Sequence, residues 1–193
     1  SRLPVALPEL PEVETTRRGV EPYVVGHRLV HLAVHEPRLR WRVDPKIPGR
    51  VDGRRILRAA RRAKYLLFEL GGGGTLLLHL GMSGSLRVLP ASAPRLAHDH
   101  LDFLLDSGQT LRFNDPRRFG SLHYTDQDPA EHPLLAKLAP EPLGDAFDAA
   151  GEVVIVIRDP GPGFDVTAVP NPLEGTNVLK ASGRGVFLIN ELM

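Results

Sequence analysis

The chain has 193 residues, 42% of them apolar and 24% charged, with a formal net charge of +1. This composition is typical of a globular protein with one core and space for a smaller second unit. The absence of cysteine excludes disulfides and cysteine-ligated zinc, and no run of about 18 apolar residues could span a membrane. The first residues are too acidic for a signal peptide, so we expect a cytoplasmic protein.

Positive charge is concentrated in the first half of the chain. Residues 1–100 contain 17 Lys and Arg against 9 Asp and Glu. The densest group consists of Arg50, Arg54, Arg55, Arg58, Arg61, Arg62 and Lys64. Such a group could neutralise nucleic-acid phosphates, or it could be the solvated face of a strand.

The predicted elements begin with a helix over Glu9–Val24. Pro11 suits its first turn, and Gly26 is a suitable stop. Seven short strands follow, with alternating apolar residues in several of them: 27–35, 54–63, 64–70, 75–81, 85–89, 101–106 and 110–113. Glycine-containing segments at 71–74 and 107–109 predict hairpin turns between strand pairs.

These elements predict an α+β fold, with the leading helix on a two-layer antiparallel β-sandwich or flattened barrel. The predicted core residues are Leu66, Phe68, Leu76, Leu78, Phe103, Leu105 and Leu111. We expect an extension at 1–7, the sandwich domain at 8–125, a proline- and acid-rich linker at 126–150, and a second segment at 151–193. The sequence of that segment predicts one buried strand, a glycine-rich loop and the start of a helix.

Six sequence blocks, in order, resemble the N-terminal catalytic domain of formamidopyrimidine-DNA glycosylases, which excise oxidised purines from duplex DNA. The blocks are PELPEVETTRRG (8–19), RRAKYLLFEL (61–70), HLGMSGSLR (79–87), HDHLDF (98–103), NDPRRFG (114–120) and LAPEPLGDAF (138–147). By this resemblance residues 8–149 cover about half of a typical family member.

The resemblance assigns the chemistry to three residues. The amine of Pro8 would form a Schiff base with the sugar, and Glu9 would act as general acid or base. Lys64 would contact the phosphate beside the lesion. Glu12 would orient this end of the first helix. Without the flanking blocks, the sequence around Lys64 would indicate an ordinary exposed lysine on a strand.

The same resemblance implies contacts that open the duplex. His79 resembles a phosphate contact, although it could be a half-buried strand histidine. Met82, Arg118 and Phe119 resemble a trio that enters the duplex where the damaged base is extruded, with Arg118 facing the orphaned cytosine. A methionine and a phenylalanine are, on their own, more often core residues.

A second resemblance lies in the last segment, to histidine-kinase-like ATPases of the anti-sigma-factor serine-kinase type. The blocks are EVVIVIRDPGPGFD (152–165) and SGRGVFLINELM (182–193). Asp159 would bind the adenine amino group, and Gly161 and Gly163 would let the backbone approach the nucleotide. A second glycine box would place a helix N-terminus at the phosphates; its residues are Ser182, Gly183, Arg184 and Gly185. Because the upstream helix with the Mg²⁺ ligand is missing from the match, we expect neither ATP nor Mg²⁺ to be bound.

Three departures from the glycosylase pattern lower the expected activity. Pro8 follows seven residues, so its nitrogen would be an unreactive amide unless those residues are removed or never translated. The family's helix–two-turns–helix module and its C-terminal zinc finger are missing, so no metal cofactor is expected.

Three hypotheses therefore stay open. The chain is a DNA glycosylase and AP lyase, weak or inactive in this form; a DNA-binding module without turnover; or an ATP-binding, anti-sigma-type fragment. The expected partner is double-stranded DNA containing an oxidised purine, without a membrane. We expect a monomer, located in a bacterial cytoplasm with the nucleoid.

Overall fold

The computed structural model describes residues 10–138 and residue 141. Its elements, in chain order, are α1 (Leu10–Val24), β1 (Leu29–Val34), α2 (Ile47–Val51), β2 (Ile56–Arg62), β3 (Tyr65–Leu70), β4 (Thr75–His79), β5 (Ser85–Pro90), β6 (Asp99–Leu105), β7 (Gln109–Asn114), β8 (Ser121–Thr125) and a 3₁₀ turn (Pro129–Glu131). Within these residues, no helix has the length and apolar character needed to cross a membrane.

The strands of this region form two antiparallel sheets of four, ordered β1-β6-β7-β5 and β2-β3-β4-β8. The glycine-containing turns join β3 to β4 and β6 to β7, as predicted. Gly72, Gly73, Gly74 and Gly108 all have positive φ there, a conformation that glycine adopts without steric cost. The α+β prediction is confirmed, with two separate sheets and not a closed barrel.

The two sheets and α1 share one apolar core. All seven predicted core residues are buried: Leu66, Phe68, Leu76, Leu78, Phe103, Leu105 and Leu111. From α1, Val13, Val20 and Val24 enter the same cluster, because their spacing places them on one face of the helix. Each buried Leu or Phe contributes about 1.5–3 kcal/mol through removal of its surface from water.

The first sheet also buries charge. The Arg112 side chain is only 2% exposed, and its Nε donates to Asp102 Oδ1 at 2.6 Å. The other guanidinium nitrogens donate to the carbonyls of Pro94 and Ala93. Through these carbonyls, Arg112 fixes the segment before β6. Removal of either Arg112 or Asp102 would leave an uncompensated buried charge.

Three elements were not predicted: α2, β8 and the 3₁₀ turn. The sequence of α2 contains Pro48 and Gly49, which have low helix propensity. In the predicted linker, residues 129–131 form the 3₁₀ turn, and Leu135 is buried against Leu67 and Leu77 on the outer face of the second sheet. The first part of that stretch is therefore packed on the domain. The predicted division of the whole chain, with its segment at 151–193, extends beyond the described residues.

Candidate nucleic-acid interface

Lys64 and His79 lie at the same end of the second sheet. Lys64 immediately precedes Tyr65, which is the register partner of His79, and the two rings are 4.7 Å apart. The turn before β3 is tight, with Ala63 at φ +49°. Glu141 holds this turn, because it accepts a hydrogen bond from the Ala63 amide at 2.5 Å.

The His79 imidazole is a neutral hydrogen-bond donor in this setting. Its Nδ1 accepts the Gly81 amide at 2.9 Å, so the ring proton resides on Nε2. Burial lowers the pKa of His79, and the nearby cations Arg40 and Lys64 lower it further. A neutral Nε2–H next to a lysine is a suitable donor to a phosphate oxygen.

The loops that carry Met82 and Phe119 are in direct backbone contact. A Cβ added to Gly81, which has φ +69°, would lie 2.5 Å from the Gly120 nitrogen and from the Phe119 carbonyl carbon. Glycine is therefore required at position 81 for both its conformation and its lack of a side chain. The structure brings the two predicted duplex-entering loops together, although they are far apart in sequence.

Asp115 joins these loops and was missed by the sequence reasoning. This residue is fully buried. Its Oδ1 accepts from Ser83 Oγ at 2.6 Å and from the Arg117 amide at 3.3 Å, and its Oδ2 accepts from the Gly120 amide at 2.8 Å. The available signal was an Asp followed by Pro, since Asp often accepts a main-chain N–H two residues ahead in a turn.

Arg118 and Phe119 project from the loop that Asp115 anchors. Arg118 has φ +56°, an uncommon conformation for a residue with a side chain, and its Nη1 lies 3.8 Å from Glu36 Oε2. Phe119 is 41% exposed, with the Arg117 guanidinium 5.1 Å from its ring centroid. Residues held in such a sparsely populated backbone conformation are concentrated at active sites and binding sites.

A further loop, residues 36–42, borders the same region. The Arg40 amide donates to the Gly120 carbonyl at 3.0 Å, and the Arg40 guanidinium lies 4.6 Å over the ring of Trp41. Trp41 is 41% exposed. The sequence reasoning did not single out this basic and aromatic segment, although RLRW (38–41) carries the signal.

The predicted basic group is largely paired within the protein. Arg61 contacts Glu14 at 3.2 Å and Glu141 at 2.9 Å, and Arg58 contacts Glu69 at 3.2 Å. Arg62 also pairs with Glu141, while Arg54 and Arg55 donate to main-chain carbonyls of Gly73 and Gly26. The group acts mainly as a structural network, and the candidate interface residues lie at the loop end of the second sheet.

Glu12 lies in the first turn of α1 and is half-buried. Glu14, two residues further on, binds Arg17, which with Arg18 and Arg61 lowers the pKa of Glu14 to about 2 against the opposing effect of burial. Pro8 and Glu9, and all predicted nucleotide-binding residues from Asp159 to Gly185, lie outside the described residues. No group of three or more histidines and carboxylates in the described part could hold a metal ion.

Residues 7–122 match the family described as "Formamidopyrimidine-DNA glycosylase N-terminal domain", and residues 123–193 match "Histidine kinase-like ATPase domain". The chain is 57% identical over 143 residues to formamidopyrimidine-DNA glycosylase of Thioalkalivibrio sulfidiphilus, covering 74% of this chain and 52% of the relative. It is 52% identical over 145 residues to the glycosylase of Laribacter hongkongensis, covering 75% and 53%.

Two solved structures are also similar. The MutM (Fpg) protein of Thermus thermophilus gives a TM-score of 0.61 at 43% identity, covering 73% of this chain and 49% of that one. The formamidopyrimidine-DNA glycosylase of Lactococcus lactis, non-covalently bound to DNA containing an AP site, gives 0.65 at 35% identity, covering 72% and 54%. The chain spans about half the length of the curated relatives it matches. It belongs to the formamidopyrimidine-DNA glycosylase family.

Proposed function

We propose that this chain recognises damaged duplex DNA as a DNA glycosylase and AP lyase of base excision repair, acting on oxidised purines such as 8-oxoguanine and formamidopyrimidine. The observation that carries the proposal is the backbone contact between the Met82 loop and the loop of Arg118 and Phe119. This contact presents side chains of the type needed to fill an emptied base stack at one position. Lys64 and the neutral His79 lie at the end of the same sheet.

Each of these groups has a distinct part in the proposal. Phe119 and Met82 replace the extruded base, so that the duplex stays open while the lesion is bound. Arg118 leaves Glu36, 3.8 Å away, and its planar guanidinium donates to the unpaired cytosine. Lys64 and His79 donate to backbone phosphates beside the lesion.

The reaction itself requires a free secondary amine at Pro8. The lone pair of that nitrogen attacks the sugar carbon that carries the base, and the base leaves with a proton supplied by Glu9. The attacking amine loses its proton, the sugar ring opens by cleavage of the bond between the same carbon and the ring oxygen, and that oxygen takes up a proton, which gives a cationic Schiff base. Removal of a proton from the adjacent sugar carbon then expels the phosphate by β-elimination and cleaves the strand. A proline nitrogen inside a peptide bond lacks this basic lone pair, so the activity depends on residues 1–7 having been removed from the chain. We propose that the reaction uses no metal or organic cofactor and that the protein acts as a monomer in the bacterial cytoplasm, near the nucleoid.

The test is to trap the covalent adduct. Purified protein of measured intact mass is incubated with a duplex containing one 8-oxoguanine opposite cytosine, and borohydride is added. We expect an adduct on a denaturing gel when the mass shows Pro8 at the N-terminus. The adduct should be absent from the Pro8→Gly variant and from an undamaged duplex of the same sequence. A Pro8-terminal protein that yields no adduct contradicts the enzymatic proposal.

A binding module without turnover is the main alternative and gives a different result. The two loops would then still favour a duplex with a lesion over an undamaged one, in the absence of any adduct. Substitution of Phe119 by Ala should remove that preference, whereas Leu96→Ala, at another exposed apolar residue, should leave it unchanged.

The match of residues 123–193 to an ATPase domain supports a second candidate function, nucleotide binding of the anti-sigma-factor kinase type. A fluorescent ATP analogue tests it. Binding that is lost on Asp159→Asn substitution, while DNA binding persists, would support it. No binding at millimolar analogue, with or without Mg²⁺, would remove this candidate.

A further inference from the structure

A small polar pocket lies at the edge of the second sheet, between β8 and α2. It has a volume of about 150 Å³. The polar residues around it are Arg42, Asp44, Arg50, His123, Tyr124 and His132. None of these residues has a part in the proposed glycosylase reaction, so the pocket requires its own explanation.

His123 lines this pocket and has a buried ring nitrogen whose hydrogen-bonding capacity is unused. Its Nε2 is buried and has no hydrogen-bond partner within the described part of the protein. Leaving such an atom unpaired costs about 1–3 kcal/mol. The neighbouring His132 ring lies 5.9 Å away, and its Nδ1 accepts the Leu134 amide at 3.3 Å. The proton of neutral His132 therefore resides on Nε2, which makes this ring a donor.

The charges around the pocket are mainly positive. The Arg50 guanidinium lies 5.5 Å from the ring centroid of Tyr124, and Arg42 comes from the loop before α2. Neither arginine forms an ion pair with a carboxylate of the described residues. Asp44 is the single acid of the lining, and its Oδ1 already accepts the Lys46 amide at 2.9 Å. Two guanidinium groups thus oppose one carboxylate.

We propose that this pocket binds a phosphate-type oxyanion, held by Arg42 and Arg50 with the neutral imidazole of His132 as a donor beside His123. The volume would hold about five waters at about 30 Å³ each, enough for one tetrahedral anion. It is below the range of about 300–1,000 Å³ of pockets for drug-sized ligands, which argues against a whole nucleotide. Charge-assisted hydrogen bonds to guanidinium are the usual means of phosphate recognition.

The burial of both rings agrees with this role. It lowers the pKa of His123 to about 4, with smaller contributions from His132 and His79, and it also lowers the pKa of His132. Both imidazoles are therefore neutral at pH 7, and the donor capacity of His132 does not depend on taking up a proton.

The proposal is tested with inorganic phosphate and the full chain. The imidazole ¹⁵N signals are followed at pH 7 during titration with sodium phosphate, and in parallel with sodium chloride at equal ionic strength. We expect the His123 and His132 signals to shift saturably with phosphate alone. The combined Arg42→Gln and Arg50→Gln variant should weaken the affinity at least about tenfold, whereas Arg58→Gln, an exposed arginine paired with Glu69, should not.

The source of the anion is identified by competition. If a short undamaged duplex at low salt displaces phosphate, the pocket binds a DNA backbone phosphate; if it does not, the ligand is a free anion. Phosphate shifts that fail to saturate, or that chloride reproduces, overturn the proposal for the wild-type chain, whatever the variants do. Since no damaged DNA is used, this outcome is independent of the glycosylase proposal.

Discussion

Asp115 joins the two loops that we propose to contact DNA, the Met82 loop and the loop of Arg118 and Phe119. Replacement by Ala removes the acceptor of the half-buried Ser83 hydroxyl and of the buried Gly120 amide. We expect a loss of about 1–3 kcal/mol in the free energy of unfolding for each donor left unpaired. Affinity for a lesion-containing duplex should fall as well, because the loops separate. Urea denaturation and DNA titration measure the two effects.

Asp115→Asn and Asp126→Ala serve as the comparisons for this substitution. Asn keeps one acceptor oxygen and should retain part of both properties, whereas Asp126 is an exposed carboxylate at the end of β8 whose loss should change neither. If Asp115→Ala unfolds at the same urea concentration as the wild type, the loops are held by something other than this carboxylate.

His79 and Lys64 occupy neighbouring positions but should contribute to DNA binding differently. Lys64 carries a charge, so Lys64→Met should reduce the dependence of log affinity on log salt concentration by about 0.9. His79 is neutral because burial, Arg40 and Lys64 lower its pKa. We therefore expect His79→Ala to weaken binding at all salt concentrations without a change in that slope. The measurement is a series of DNA titrations in increasing salt.

The pH dependence gives a second check on the state of His79. Wild-type affinity should not rise as the pH is lowered from 8 to 7, because the ring takes up no proton in that range. A slope change for His79→Ala equal to that for Lys64→Met would mean that His79 binds DNA as a cation.

At the scale of elements, the contact between the β4–β5 loop and the β7–β8 loop depends on Gly81. An Ala at this position would experience the strain of φ +69° and would also collide with the backbone of Phe119 and Gly120. Gly72→Ala is a matched control, since its φ is +82° but nothing lies within 4 Å of the added carbon. Strain alone costs about 1–2 kcal/mol. Gly81→Ala should be destabilised by more than this and should lose affinity for the lesion duplex, while Gly72→Ala keeps it. Equal losses of stability in the two variants would show that the loops tolerate separation.

The sequence predicted the elements that local pattern determines. The first helix and seven of the strands were foreseen, because alternation and glycine turns mark them directly. β8 was not predicted because its sequence is short and contains few apolar residues beside His123 and Tyr124. Its pairing with β4 is decided by tertiary contacts. α2 was missed for a similar reason, since packing of Ile47 and Val51 outweighs its low helix propensity.

The candidate site was likewise predicted from the sequence only in part. The six sequence blocks singled out Lys64, His79 and the loop residues as candidates. The contact between the two loops could be seen only in the folded structure. Asp115 and Trp41 acquire their significance only from neighbours that are distant in sequence. The role of the basic group could not be predicted from charge alone, because the carboxylates that pair with it come from α1, from Glu69 on β3 and from Glu141.

At the scale of the whole molecule, the lowered pKa values predict that stability decreases with acidification in two steps. A group whose pKa is lower in the folded state than in the unfolded chain binds fewer protons when folded, so stability is lost as the pH falls through the interval between the two values. For His123 that interval runs from 6.5 to about 4, where burial is the main cause. For Glu14 it runs from 4.5 to about 2, with Arg17 as the largest cause.

Urea midpoints measured between pH 7.5 and 3 should therefore decline in two stages, the first above about pH 4.5 and the second below it. The buffers must be free of phosphate, since an oxyanion bound beside His123 would add its own pH dependence. His123→Phe should flatten the upper part of the curve, and Glu14→Gln the lower part. A midpoint that stays constant from pH 7.5 to 5 would show that His123 can take up its proton in the folded state without cost, and the buried imidazole would then have a hydrogen-bonding environment different from the one described.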